Sequence, residues 1–161
     1  MAELWDLYDE KREKTGNVLL RGMPVPKSCY HLVVSIWIVN SRGQYLLSQR
    51  HPDKSYPLYW ECTGGSVLAG EDSMSGAMRE VKEELGITLE AEQGTLIYQT
   101  RRESTQDFYD VWLFHADFDA SKMILQKTEV VGVQWVNRDE LLHMYQNGRL
   151  HPLIDYIHQV L

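Results

Sequence analysis

Glu71, Asp72, Glu80, Glu83 and Glu84 place five acidic residues within fourteen positions, and glycines bound the stretch at Gly64, Gly65 and Gly86. Like charges one helical turn apart repel by about 0.2 to 0.5 kcal/mol per pair. Carboxylates crowded in this way need a compensating positive charge. At 100° per residue, Glu80, Glu83 and Glu84 share an arc of about 100° on a helix. Carboxylates that face one way suit a hard divalent cation such as Mg²⁺, which prefers oxygen ligands. Gly64 and Gly65 leave room for the backbone to approach a ligand closely. The plainer alternative is an acidic helix face open to water, the usual outcome for an arbitrary Glu-rich helix.

The element that must position these carboxylates is legible in the apolar residues between them. Met74, Ala77, Met78, Val81 and Leu85 fall at i, i+3, i+4, i+7 and i+11. That stripe predicts a helix over Ser73–Leu85 with one face packed on a sheet. Asp72 or Ser73 is placed to cap its start, and Gly86 to end it in a left-handed conformation.

Around this helix the chain reads mostly as strands. "ELWDLYDE" and "NVLLRG" flank the turn-like "KREKTG", giving a hairpin-like extension over residues 1–28. "HLVVSIWIVN" and "QYLLSQR", separated by "SRG", predict a second hairpin. "HPDKSYPLYW" reads as a loop, and "TLIYQTRRE", "DFYDVWLFHADF" and "EVVGVQWV" as further strands. "NRDELLHMYQNG" predicts a helix capped by Asn137 and followed by Gly148, and "HPLIDYIHQVL" a terminal helix with Pro152 in its first turn. The mixture points to an α/β layered fold, without the clean alternation of a doubly wound parallel sheet.

A chain of 161 residues fits one domain, 1–161, with a core of its own, and 43% hydrophobic with 24% charged residues is a globular balance. The net charge of −7 argues against broad binding to nucleic acid or anionic membrane, both of which need a basic surface. The longest apolar-looking run, "CYHLVVSIWIVN", is too short to span a bilayer, and the charged N-terminus does not read as a signal peptide; a cytoplasmic protein is expected. Cys29 and Cys62 form neither a disulfide scaffold nor a CxxC metal pair and are expected to be free thiols.

Read in order, the acidic segment gives Gly65, five residues, Glu71, seven residues, then "REVKEELGI" from Arg79 to Ile87. This pattern resembles the signature of the Nudix hydrolase family, with the signature box over residues 64–87. The resemblance implies an α/β/α sandwich with a mixed, largely antiparallel sheet, and hydrolysis of a small-molecule diphosphate linked to another moiety, with Mg²⁺ or Mn²⁺. On it, Glu80 and Glu84 would be the main metal ligands, Glu83 a further ligand or the base that activates water, and the Gly64 carbonyl a backbone ligand. Arg79 would orient a catalytic glutamate and Glu71 would support the loop. Glu129 and Asp110 are candidates for a further carboxylate outside the box. Many relatives dimerise, although nothing in the sequence marks an interface.

Outside the box, "YHLVVSIWIVN", "LLSQRHPDK" and "WECTGGS" resemble the branch that contains isopentenyl diphosphate isomerase and its hydrolase-like relatives, over roughly Trp5 to Trp135. On that likeness Arg50 and Lys54 would hold the diphosphate, and His31 matches a metal position. Trp60, with Tyr59 and Trp5, is placed to stack on a base or cover a prenyl chain. The isomerase needs a histidine soon after its cysteine, and "CTGGSVLAGE" has none after Cys62. Hydrolysis is therefore expected, with isomerase-like activity or a ligand-sensing domain without turnover as the alternatives.

Overall fold

The structure, a computed structural model, describes residues 2–161. Its strands are β1 (Leu4–Tyr8), β2 (Lys14–Leu20), β3 (His31–Val39), β4 (Tyr45–Arg50), β5 (Trp60–Glu61), β6 (Thr63–Ser66), β7 (Gly94–Arg102), β8 (Asp107–His115) and β9 (Val130–Val136). Its helices are α1 (Ser73–Leu85), α2 (Arg138–Gln146) and the short α3 (Ile157–Val160).

β3 is the centre of the main sheet. Most of its residues are buried on both faces, which is why it reads as an unbroken apolar run rather than an alternation. Along one edge it pairs in parallel with β8, from His31 opposite Asp107 to Val39 opposite His115. Along the other it pairs antiparallel with β6, from Val33 opposite Ser66 to Ile36 opposite Thr63. The hairpin expected between β3 and β4 is confined to Val39 opposite Tyr45. Beyond that point β6 occupies the edge of β3, and β4 turns away to pair with β9 and β5. Gly64 makes this possible, because a Cβ there would stand 2.6 Å from the carbonyl oxygen of Val34.

Helices cover the sheet on both sides. Ala77, Val81 and Leu85 of α1 bury against Val34, Ile36, Ile38 and Phe114. On the opposite face Leu141 and Met144 of α2 and Ile157 of α3 pack with Trp37, Leu47 and Val111. Each fully buried large aliphatic side chain contributes roughly 1.5 to 3 kcal/mol. The result is an α/β fold with a mixed, largely antiparallel sheet between helical layers.

The ends of α1 are set by local chemistry. Asp72 is the cap: its side chain accepts from Ser75 N–H at 2.8 Å, and the Ser75 hydroxyl accepts from Asp72 N–H at 3.0 Å. Gly86 closes the helix at φ 70°. The hairpin of β1 and β2 props the loop before α1, where Ala69 N–H donates to Leu4 and Gly70 N–H to Asp6. The terminal segment departs from expectation, since only Ile157–Val160 is helical. His151 accepts from Leu153 N–H on its ring and from Ile154 N–H on its carbonyl, a local turn that competes with the helix. Among the described residues no helix is long and apolar enough to cross a membrane.

Candidate active site

Arg79 ties the loop before α1 to the helix itself. Its Nε donates to Glu71 at 2.8 Å and its Nη2 to the carbonyl of Ser66 at 3.0 Å. Its Nη1 reaches Glu80 at 3.0 Å and Glu83 at 3.2 Å. The second oxygen of Glu71 accepts from Leu68 N–H at 2.8 Å, so one carboxylate fixes both the loop backbone and the arginine. Gly65 lies directly against Glu80, and a Cβ at that position would fall 2.7 Å from Oε2 and closer still to the rest of the carboxylate.

Glu80 and Glu84 are buried, at 8% and 7% exposure, whereas Glu83 is about half exposed. Burial pushes the Glu80 carboxyl up to about 7, with Arg79 pulling the other way. Burial also raises Glu84 well above the ordinary carboxylate range, and the Glu80 charge adds to it. Glu84 takes no side-chain hydrogen bond or ion pair among the described residues. An acid buried without a donor is costly, and a bound cation would remove that cost.

These side chains line a cleft of about 550 Å³, together with Val33 and Ser35 of β3 and the glycines of β6. Arg50 enters from the end of β4 and Lys54 from the loop after it, and both are held by acids. Arg50 donates to Glu61 at 2.7 Å, and Lys54 pairs with Glu129. Arg102 and His151 also line the cleft.

The Nudix domain profile matches residues 30–156. The chain belongs to the Nudix family. It is 37% identical over 152 residues to an uncharacterized Nudix hydrolase of Listeria monocytogenes, covering 93% of this chain and 89% of that one. It is 27% identical over 113 residues to the nucleoside triphosphatase NudI of an Enterobacter species, covering 65% and 80%. The crystal structure of DR0079 from Deinococcus radiodurans superposes with a TM-score of 0.78 at 25% identity, covering 98% of this chain and 99% of that one. The protein is thus a Nudix hydrolase, of a family that acts on diphosphate-containing compounds and generally uses divalent metal ions.

The Nudix box residues Gly64, Glu71, Arg79, Glu80, Glu83 and Glu84 come together as the sequence spacing suggests. Among the described residues, however, no three His, Cys, Asp or Glu side chains stand together at metal-ligand spacing. Like-charged carboxylates spread apart, and here Glu80 and Glu83 turn toward Arg79. The donor set nevertheless fits a hard divalent cation: carboxylate oxygens, with Glu84 a buried residue whose side chain makes no hydrogen bond among the described residues, beside a glycine that admits no side chain.

Of the residues outside the box, Arg50, Lys54 and Glu129 line the cleft and Asp110 does not. Asp110 is fully buried at the start of α1, where Arg12, Ser73 and Gln99 all donate to it. Trp60 also lies away from the cleft and packs with Trp37 and Leu47. Successive strand residues point to opposite faces, so with Glu61 in the cleft the partly buried Trp60 packs against the core beneath α2 and α3. His31 is buried against Trp5, the two rings stacked nearly parallel with centroids 4.1 Å apart. Cys62 is buried at the floor of the cleft, where burial, reinforced by Glu61, pushes its thiol up to about 12. Glu61, Arg102 and His151 escape sequence reasoning. Glu61 stands within "WECTGGS", but Arg102 and His151 arrive through long-range strand pairing and the turn after α2, which carry no local signal.

Proposed function

We propose that this Nudix hydrolase cleaves a diphosphate linked to a nucleotide-type or isoprenoid-type moiety, with Mg²⁺ or Mn²⁺ as cofactor. The observation that carries the reading is Glu84, a buried and unpaired carboxyl beside Glu80, in a cleft that also presents Arg50 and Lys54. In this reading Glu80, Glu84 and the Gly64 carbonyl hold the metal. When bound, the ion neutralises the diphosphate and lowers the pKa of an attacking water.

The chain's own residues do the rest. Glu83, the exposed member of the three, accepts the proton of that water on the carboxylate oxygen that Arg79 does not hold. Arg79 and Glu71 act as positioning residues, because they fix the Glu80 carboxylate, the end of β6 that bears Gly64, and the loop that follows it. Arg50 and Lys54 bind phosphate oxygens, with Glu61 and Glu129 holding them in orientation. Phosphoryl transfer depends mainly on such positioning and charge stabilisation.

The name of the Enterobacter relative favours a nucleotide-type substrate. Isomerase-like chemistry finds no support, since the Cys62 thiol stays protonated and buried. A sensor without turnover is disfavoured because Glu80, Glu83 and Glu84 are all in place. The test is release of monophosphate or phosphate from nucleoside diphosphates, nucleotide sugars, dinucleotides and prenyl diphosphates, with Mg²⁺, with EDTA, and with Glu84→Gln. Metal-dependent cleavage lost in the variant is expected. Silence across the panel with the metal still bound would move the weight to the isomerase or sensor.

A further inference from the structure

Two nitrogen donors in the cleft have no partner among the described residues although the rest of each side chain is pinned. Arg102 donates to Asp107 through Nε at 2.7 Å and Nη2 at 2.9 Å, and its guanidinium lies 4.0 Å over the ring of Tyr109. Its Nη1 makes no hydrogen bond among the described residues. His151 accepts from Leu153 N–H on Nδ1 at 3.1 Å and packs edge-on against Tyr56. A backbone N–H can only donate, so Nδ1 carries no proton, and the neutral ring must carry it on Nε2. Nε2 likewise has no partner among the described residues, and both side chains line the cleft.

The neighbours of these groups locate them. The charges acting on Glu84 are those of Glu80, Lys54, Glu61 and Glu129. Burial and the charges of Arg50, Lys54 and Arg102 depress His151 to about 4, so it is a neutral donor at ordinary pH. Lys54 is common to both sets. Arg102 enters the cleft from the end of β7, and His151 from the turn after α2, where its backbone N–H donates to the Trp60 carbonyl and its ring packs on Tyr56 of the loop that bears Lys54; neither comes from α1, which bears Glu84.

We infer that Arg102 Nη1 and His151 Nε2 form a prepared donor pair that binds acceptor oxygens of the substrate beyond its scissile diphosphate. The inference rests on the diphosphate-hydrolase reading and narrows it to oxygen-rich, nucleotide-type substrates. A prenyl chain offers no acceptor there and would leave both donors desolvated and unpaired, which selects against it.

The experiment uses the full chain and two substitutions at one position. His151→Asn keeps an acceptor for Leu153 N–H and removes the Nε2 donor, whereas His151→Gln restores an N–H near Nε2. With ADP and Mg²⁺, the Asn variant is expected to raise KM about three- to tenfold with kcat changed much less, the loss of one hydrogen bond to a neutral ribose oxygen. The Gln variant is expected to recover most of that loss. Wild-type protein should prefer ADP to isopentenyl diphosphate by at least about tenfold. Nitrogen-15 spectra of the wild-type imidazole give a readout that does not need turnover: an Nε2–H tautomer near pH 7, with the Nε2 resonance displaced by ADP and Mg²⁺. If cleavage is absent but that resonance moves, the donor pair stands and the hydrolase reading falls. An Nδ1–H tautomer, an unmoved Nε2 resonance, or a preference for isopentenyl diphosphate would overturn the donor pair.

Discussion

Gly65→Ala places a methyl group against the Glu80 carboxylate, 2.7 Å from Oε2 where ordinary contact begins near 3.4 Å. The carboxylate must retreat by roughly 1 Å to restore normal contact. Its far end is flexible, so the backbone need not move, and the retreat takes Glu80 away from Arg79 Nη1 at 3.0 Å. Overpacking of this kind costs about 1 kcal/mol, partly offset by the entropy that alanine removes from the unfolded chain. On the proposed role of Glu80 as a metal ligand, a 1 Å misplacement should cost about a hundredfold in catalysis. Gly64→Ala makes the contrast, because its methyl meets the Val34 carbonyl at 2.6 Å and backbone cannot turn aside. That variant should lose the pairing of β6 with β3 and about 3 kcal/mol of stability. Thermal unfolding and steady-state kinetics on both variants decide the matter. Near-wild-type activity in Gly65→Ala, or equal loss of stability in the two, would refute the assignment of Gly65 to the site and Gly64 to the fold.

The pH dependence follows from Glu80, whose carboxyl is raised from 4.5 to about 7. The native state holds its proton longer than the unfolded chain, so metal-free stability is greatest below pH 4.5 from this group and falls by about 3 kcal/mol as pH rises through 7. Saturating Mg²⁺ should restore more stability at pH 8 than at pH 6, measured by thermal unfolding; a gain independent of pH would contradict it. Asp110→Asn leaves Arg12 without its counter-charge and should cost about 2 to 3 kcal/mol, below the full buried-pair figure because Arg12 is 32% exposed. Its Mg²⁺-dependent gain in Tm should match that of the wild type. Cys62→Ala should cost about 1 kcal/mol and leave hydrolysis within about threefold; abolished turnover would reinstate a role for the thiol.

What could be read from the sequence was what one element says about its own faces. The stripe from Met74 to Leu85, the Asp72 and Asn137 caps and Gly86 each state their structure locally, and the box fixes which carboxylates share a side. What could not be read depended on what lies opposite. Nothing in "HLVVSIWIVN" announces that β8 pairs with it in parallel or that β6 takes the edge expected for β4. Trp60 and Glu61 share a two-residue strand too short to show an alternation, so the aromatic drew attention while the acid faces the cleft. Asp110 is a buried partner of Arg12 across 98 residues of chain, a distance no periodicity spans. Arg102 and His151 are pinned by Asp107 and Leu153, and only coordinates show which of their nitrogens remain unpartnered.

The most direct measurement is calorimetric titration of Mg²⁺ into metal-stripped protein at pH 7, repeated in buffers of different ionisation enthalpy. Burial raises the Glu80 carboxyl to about 7 and raises Glu84 as well, so metal uptake should be saturable and should release protons. Glu84→Gln should weaken binding at least tenfold and reduce the proton release while remaining folded. No saturable uptake, or uptake indifferent to Glu84→Gln, would contradict a metal site at these carboxylates.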